Sequence, residues 1–422
     1  MRFLFFIGIF LFAEDLLAKT NQCQAKNIFE FYNKLNQSNP IQEQIQKRMK
    51  QIDTNINIAK QRPNPEFDFE YLKGNQFGVD INTVSASIQH VFEYGEKRAR
   101  RIEEAQLSTE IQKKQLALEG LGTNVSYVLK YQRVAQLEVL IEAVKEAIHT
   151  FDDAVRRLKS RTGLNPEERV SLSTLRLAAS DYRAKLNDLE NKKTLLEGDL
   201  FFFSGCDNIR PVYVTLNYNN IVSPLRDLAP NDNGLINLHS LKVRHAEAEL
   251  EVQKSLGYSN IAIGPAFEYQ TVGKDRFVSG GVAVTFDIPL FHTNNAGKRS
   301  ALKNLVAQKV ESTNTINNLS IKQNRLIEKY LRSVKVLSQM ASLEILNKQH
   351  QEVERLFSRG IVSIPMTIES HRQHIDFLES RFETENDLLV SLEEIVFIRG
   401  STELLESLFS AATMNSKSKD KK

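Results

Sequence analysis

A mainly α-helical chain with a small β part, built by internal duplication, is the fold class this sequence predicts. Three observations carry the prediction. Long runs of apolar residues at alternating steps of three and four specify coiled-coil helices. Short stretches in which apolar and polar residues alternate specify strands with one apolar face. The order of these segments also recurs. Strands opening at Arg62–Glu66 lead into a helical run from about Gly95 to Ser160, and from Ile261 strands again lead into a run from about Asn294 to Ser358. Such a repeat is one architectural unit used twice.

The helices rest on spacing and punctuation. Val134, Leu137, Ile141, Val144, Ile148, Phe151, Val155 and Leu158 keep the heptad steps without a miss. Leu118, Leu121, Val125 and Val128 precede them with a phase break near Tyr131, and such a break shifts the packed seam. Leu172 through Phe203 obey the same rule with Lys193 as the one polar occupant, and Ile375 through Val396 obey it with Glu385 interrupting. Each long run would extend ~100 Å at 1.5 Å per residue, and helices Pro40–Gln61 and Pro166–Ser204 together roughly match that length. Leu235–Leu256 and about Pro365–Gly400 supply the same pair in the second half. Asn39-Pro40 is a cap followed by proline, whose missing N–H is harmless in a first helical turn. Gly163-Leu164-Asn165-Pro166 and Gly360 through Pro365 each stop one helix with glycine and start the next with proline, which predicts two sharp helical hairpins.

The strands are patterned for lipid. Phe67, Phe69 and Tyr71 alternate with Asp68 and Glu70, and Val84, Ala86, Ile88 and Phe92 alternate with polar neighbours. The second half offers Ile261, Ile263, Phe267 and Tyr269, then Val282, Val284, Phe286, Ile288 and Leu290, joined at the turn Gly273-Lys274-Asp275. Period two, aromatic residues near the ends and tight turns match outer-membrane barrel strands. Four strands cannot close a barrel, and an open edge is not viable in hydrocarbon, so chains must pool strands. Three chains give about twelve, inside the range such barrels use.

Composition narrows the classes further. Charged residues make up 25% of the 422, with a formal net charge of +3. That balance offers no footprint for nucleic acid, and the basic tail Lys417–Lys422 reads as a solvated end. Arg2, the apolar run Phe3–Phe12 and Leu16-Leu17-Ala18 form a secretory signal cleaved after Ala18, with Glu14 and Asp15 atypically close to its core. No later stretch reaches the ~18 apolar residues of a membrane helix; Leu195–Phe203 is the most apolar and too short. Cys23 and Cys206 leave three readings open: a disulfide in an exported chain, a lipidated Cys23, or two free thiols. His371 and His374 share a helix face, but no Cys or Asp joins them at ligand spacing, so they read as exposed helix histidines and no metal site is expected. No nucleophile elbow, phosphate loop or zinc-hydrolase helix occurs, so neither an enzyme nor a cofactor is expected.

The chain then resembles the outer-membrane factor (TolC-like) family over nearly its whole mature length. The resemblance is carried by Arg62-Pro63-Asn64-Pro65-Glu66, by Tyr94-Gly95-Glu96-Lys97-Arg98 with Arg101, by Asp287-Ile288-Pro289-Leu290-Phe291 through Gly297-Lys298-Arg299, and by Leu356 through Ile364. The first and third segments look closest to the heavy-metal (cobalt-zinc-cadmium type) efflux branch. The resemblance implies a homotrimer whose 12-stranded outer-membrane barrel continues into a 12-helix periplasmic tunnel. It implies no cofactor. Its partners would be a periplasmic adaptor (membrane fusion protein), an inner-membrane RND or ABC pump and outer-membrane lipid, with no nucleic acid. The organisation it implies is a signal peptide at 1–18, a first repeat at 19–204, an equatorial linker at 205–234, a second repeat at 235–400 and a C-terminal tail at 401–422.

By the same resemblance, Thr162, Gly163 and Leu164, with Arg359, Gly360 and Ile361, are the hairpin tips that meet the adaptor. Glu369 matches a tunnel-gate position, where a ring of three carboxylates would favour cations. The sequence departs from the family at Met366-Thr367, where a second acidic residue is missing. Cys23 and Cys206 would both lie near the equatorial belt, which suits their pairing. The competing readings are an outer-membrane component of type I protein secretion and a periplasmic coiled-coil adaptor without a pore. An adaptor carries one hairpin between β-domains, whereas this chain has two hairpins and two strand pairs.

Overall fold

The helices on either side of Gly163 and of Gly360 stop where the sequence supplies punctuation, and the computed structural model describes residues 28–37, 40–204, 211–226, 234–290, 293–404 and 406. The first half runs α1 (Ile28–Gln37), α2 (Pro40–Ala59), β1 (Glu66–Gln76), β2 (Val79–Phe92), α3 (Lys97–Lys159) and α4 (Pro166–Ser204). A short 3-10 turn and α5 (Val222–Arg226) follow. The second half runs α6 (Gly234–Ser255), β3 (Ile261–Val272), β4 (Asp275–Phe286), α7 (Asn295–Gln339), α8 (Leu343–Ser358) and α9 (Ile364–Arg399). The mainly helical fold class with a duplicated strand-helix order is the one the sequence predicts. The expected signal segment, Cys23 and Cys206 lie outside the described residues.

Two expectations about elements change. The run expected to be unbroken from Asn294 to Ser358 is interrupted between α7 and α8. Ser342 caps α8 by accepting a hydrogen bond from the Ile345 N–H at 3.3 Å. The Arg381 guanidinium donates to the Ala341 carbonyl that the break frees, at 3.2 Å. The fourth strand ends at Phe286, short of Ile288 and Leu290. There the Leu290 N–H donates back to Ile288 at 2.8 Å around Pro289, a tight turn that cannot continue a ladder.

The chain divides into two compact units, each drawing on both repeats. The first takes the described residues of Met1–Ile45, Leu118–Gly234 and Ser320–Lys422. Its core explains the heptad pattern. Val134, Leu137, Val144, Phe151 and Leu158 are buried as expected, and so is a second row, Leu140, Ala143, Ala147 and Ala154. With two buried rows, α3 packs at once against Leu175, Ala179 and Leu189 of α4 and Ile375, Leu378 and Phe382 of α9. The polar interruptions have partners: Lys193 bridges Glu138 at 3.0 Å and Glu197 at 3.5 Å. Tyr131, at the phase break, is fully buried and stacks on Phe31 of α1 with ring centroids 4.7 Å apart. The shift in seam makes room for α1 and for the segment around Leu216 and Tyr218, whose carbonyl accepts from the buried Tyr330 hydroxyl at 2.9 Å.

The second unit takes Gln46–Ala117 and Leu235–Leu319. Here the basic residues opening α3 finish α2. Arg98 donates to the Lys60 carbonyl at 2.8 Å, and Arg101 donates to Ala59 at 3.1 Å and Gln61 at 3.0 Å, satisfying carbonyls that a helix end leaves unpaired. Asn294 does the same for α6 in the second repeat, donating to the Gln253 carbonyl at 2.8 Å. The four strands form one antiparallel sheet in the order β1-β2-β3-β4, so the two repeats join through β2 and β3. Gly264 allows that pairing, because a Cβ there would collide with the backbone of Ile88 and Gln89.

Candidate functional site

The register sorts the sheet into two faces. Phe67, Phe69 and Tyr71 of β1 stand opposite Ile88, Ala86 and Val84 of β2. Ala86 and Val84 in turn oppose Phe267 and Tyr269 of β3, and Ile263, Pro265 and Tyr269 oppose Val284, Val282 and Val278 of β4. All these residues share one face because side chains alternate along a strand. Phe67, Phe69, Ile88, Phe267, Val278, Val282, Val284 and Phe286 are exposed there, a contiguous apolar surface of the kind water disfavours. The opposite face carries Asp68, Glu70, Ser85, Ser87, Glu268 and Ser279 around a shallow concavity. It is tied by hydrogen bonds such as Gln89 to Asp68 at 3.2 Å and Gln270 to Thr83 at 3.2 Å. Both outer edges, on β1 and β4, lack a strand partner among the described residues. No helix among those residues is long and apolar enough to cross a membrane.

The hairpin turns form as the glycine-proline punctuation predicts. Gly360 adopts φ +72° and Gly163 φ +83°. At the second turn the Gly360 N–H donates to Phe357 at 2.9 Å and the Ile361 N–H to Leu356 at 3.0 Å, the double closure of a Schellman motif. At the first, Asn165 accepts from the Glu168 N–H at 2.8 Å while Glu168 accepts from the Asn165 N–H at 3.0 Å, a reciprocal cap. Thr162, Arg359 and Ile361 are exposed and Leu164 is half-buried. A Cβ added to either glycine meets no atom within 4 Å, so both turns present open backbone.

Glu369 lies on α9 just past the second turn and is exposed. Its carboxylate takes a forked contact from Arg372, at 2.6 and 2.9 Å, and a hydrogen bond from Gln373 at 2.8 Å. These hydrogen bonds hold its pKa down to about 2. Arg372 also reaches Asp376 at 2.9 Å, so three alternating charges line this stretch of α9.

Two residues contradict the sequence reading. His371 and His374 are not exposed helix histidines: they are 1% and 7% accessible and pack with His350 of α8, itself 6% accessible. The physical reason is positional. His371 stands four residues before Ile375 on the buried stripe that continues through Leu378 and Phe382. That spacing was readable in the sequence; the approach of His350 was not. Ring centroids lie 4.7 Å apart for His350 and His371 and 4.3 Å for His350 and His374. Burial and the neighbouring rings lower the pKa of His374 to about 4, keeping its imidazole neutral near pH 7, and burial and the His371 ring also lower that of His350.

Glu385, expected only as a heptad interruption, is fully buried. It accepts from the Tyr213 hydroxyl at 2.8 Å and from Gln136 at 3.1 Å, with Arg381 3.4 Å away. Burial raises its pKa against these opposing contacts.

The fold so described is shared with solved outer-membrane channels. The outer-membrane protein VceC of Vibrio cholerae matches with a TM-score of 0.60 at 12% identity, covering 89% of this chain and 96% of that one. The Campylobacter jejuni CmeC outer-membrane channel matches at 0.63 and 10% identity, over 89% and 85% of the two chains. The open state of the Neisseria gonorrhoeae MtrE outer-membrane channel matches at 0.66 and 9% identity, over 89% of each. At these identities the likeness establishes the fold. No protein-family model matches the chain, and no curated protein matches it.

Proposed function

We propose that this chain is one subunit of a homotrimeric outer-membrane channel-tunnel, the passive exit duct of a tripartite efflux system. The observation that carries the reading is the sheet: one face apolar and exposed across all four strands, the other polar, and both edges open. An apolar outer face suits lipid, a polar inner face suits a water-filled lumen, and open edges require closure with further strands. Three copies supply twelve strands. The fold shared with solved outer-membrane channels supports the same reading.

In this proposal substrate is driven by an inner-membrane RND or ABC pump through a periplasmic adaptor. The adaptor meets the turns at Thr162-Gly163-Leu164 and Arg359-Gly360-Ile361, where exposed glycine backbone permits close approach. Substitution of Gly163 and Gly360 by bulky residues should abolish export while trimers persist, because the added side chains meet no atom and the left-handed strain, about 1–2 kcal/mol each, is confined to the turns. Undiminished export from the doubly substituted trimer would remove the docking assignment. The tunnel gate is assigned to Glu369 together with Arg372 and Asp376, whose charges sum to −1 per chain. The Pro63–Glu66 and Ile288–Phe291 segments favour placement in the heavy-metal (cobalt-zinc-cadmium type) efflux branch. Cys23 and Cys206 are proposed to pair.

Membrane fractionation tests the central claim. The expected result is an outer-membrane protein that migrates as a heat-modifiable species of trimer size. Recovery in the soluble periplasmic fraction would overturn it.

A further inference from the structure

We propose that His350, Glu354 and His371 form a binding site for a divalent cation of the zinc class, about two helical turns from the Gly360 turn. The site goes beyond the channel reading and does not depend on it.

The ligands come as spaced pairs on two antiparallel helices. His350 and Glu354 stand four apart on α8, and His371 and His374 three apart on α9, so each pair occupies one helix face. His350, Glu354 and His371 each offer one ligand atom, and these atoms lie within 4.8 Å of one another. All three histidines are more than nine-tenths buried, and the Nδ1 atoms of His350, His371 and His374 have no hydrogen-bond partner. Buried polar atoms are ordinarily satisfied, and each orphan is costly. A purely structural core would place apolar residues here, as α9 does at Ile375, Leu378 and Phe382. Unpartnered nitrogens on His350 and His371 beside the Glu354 carboxylate point to one electrophile that would take a lone pair from each of these two rings, with His374 outside the set.

The donor set selects the ion. Two imidazole nitrogens and one carboxylate oxygen suit zinc and its neighbours, whereas magnesium and calcium take oxygen ligands. The supporting groups are also present. The Thr150 hydroxyl lies 3.3 Å from both Glu354 oxygens, orienting that carboxylate from α3. The Glu146 carboxylate lies 3.5 Å from His350 Nε2 and adds a second negative charge to balance the ion. His371 Nε2 lies 2.6 Å from Glu354, closer than the roughly 3.3 Å separating two ligands on a tetrahedral zinc, so a rotation of the half-buried carboxylate completes the set. A bound ion would tie α8 to α9, with α3 supporting it, and brace the second hairpin.

Titration of the full-length, detergent-solubilised protein with zinc against a chromophoric chelator tests this. One equivalent per chain is expected, weakened at least about tenfold by His350→Gln and by His371→Gln and unchanged by His149→Gln on the exposed face of α3. Absence of binding, or binding unaltered in the double variant, would overturn the site. Should the variants misfold, zinc-edge X-ray absorption on the wild-type protein decides: imidazole scattering from two histidines is expected, and a shell without imidazole rejects the proposal.

Discussion

Glu385 occupies a position that the apolar stripe of α9 would otherwise give to a leucine, and its neighbours explain why a carboxylate is tolerated. It receives the Tyr213 hydroxyl and the Gln136 amide and faces the buried Arg381. Removing one member of such a network strands the others. Glu385→Ala should cost on the order of 3–5 kcal/mol, while Glu385→Gln, which keeps an acceptor for Tyr213 and Gln136, should cost less; thermal midpoints at one scan rate measure both. His245 in the second unit has the opposite chemistry. Its hydrogen bond from Nε2 to Glu104, at 2.8 Å, raises its pKa against the effect of burial. A histidine raised in the folded state stabilises fully below its unfolded pKa of about 6.5, and that contribution is lost as pH rises through the folded value. The wild-type melting temperature should therefore fall across that window, and Glu104→Gln should flatten the profile there. Neither pairing was legible beforehand, because each joins residues more than a hundred positions apart. The polarity of Glu385 was visible in the sequence; its partners were not.

At the scale of elements, stops written as glycine followed by proline were legible and stops made by a cap alone were not. Gly163 and Gly360 fall where the sequence places them, since only a residue without Cβ enters the left-handed region without strain. Gly360→Ala should cost about 1–2 kcal/mol through that strain, read as a lower thermal midpoint. The break at Met340–Ser342 escaped notice because Met and Ala favour helix and a lone serine weakly opposes it. Its stability rests on the Ser342 cap and on Arg381, which arrives from α9. Ser342→Ala should cost about 1 kcal/mol and speed limited proteolysis between α7 and α8. The second buried row of α3 was likewise missed. Alanines at Ala143, Ala147 and Ala154 carry little hydrophobic signal of their own, and only a second packed helix makes small residues necessary there.

For the whole molecule, the consequential feature is the sheet with two dissimilar faces and open edges. If its apolar face meets lipid, a lysine there must be carried into hydrocarbon. Val282→Lys should destabilise the assembled barrel by about 2–4 kcal/mol, whereas Ser279→Lys on the polar face should leave it folded. Heat-dependent mobility of the proposed trimer distinguishes the two. Equal tolerance at both positions would count against membrane immersion.

The duplication, the helices apart from the α7–α8 break, the strands with their faces and the two hairpin turns were determined by the sequence itself. Periodicity and glycine-proline punctuation are local, and local pattern alone decides which residues must turn inward or bend. The tertiary structure decided which segments meet. It joined the repeats through β2 and β3, buried Tyr131 at the phase break, and drew His350, Glu354, His371 and His374 into one cluster. A helix pattern shows that a histidine lies on the buried face. Only the packed partner helix shows what stands opposite it, because side chains that meet across helices have no fixed separation along the chain.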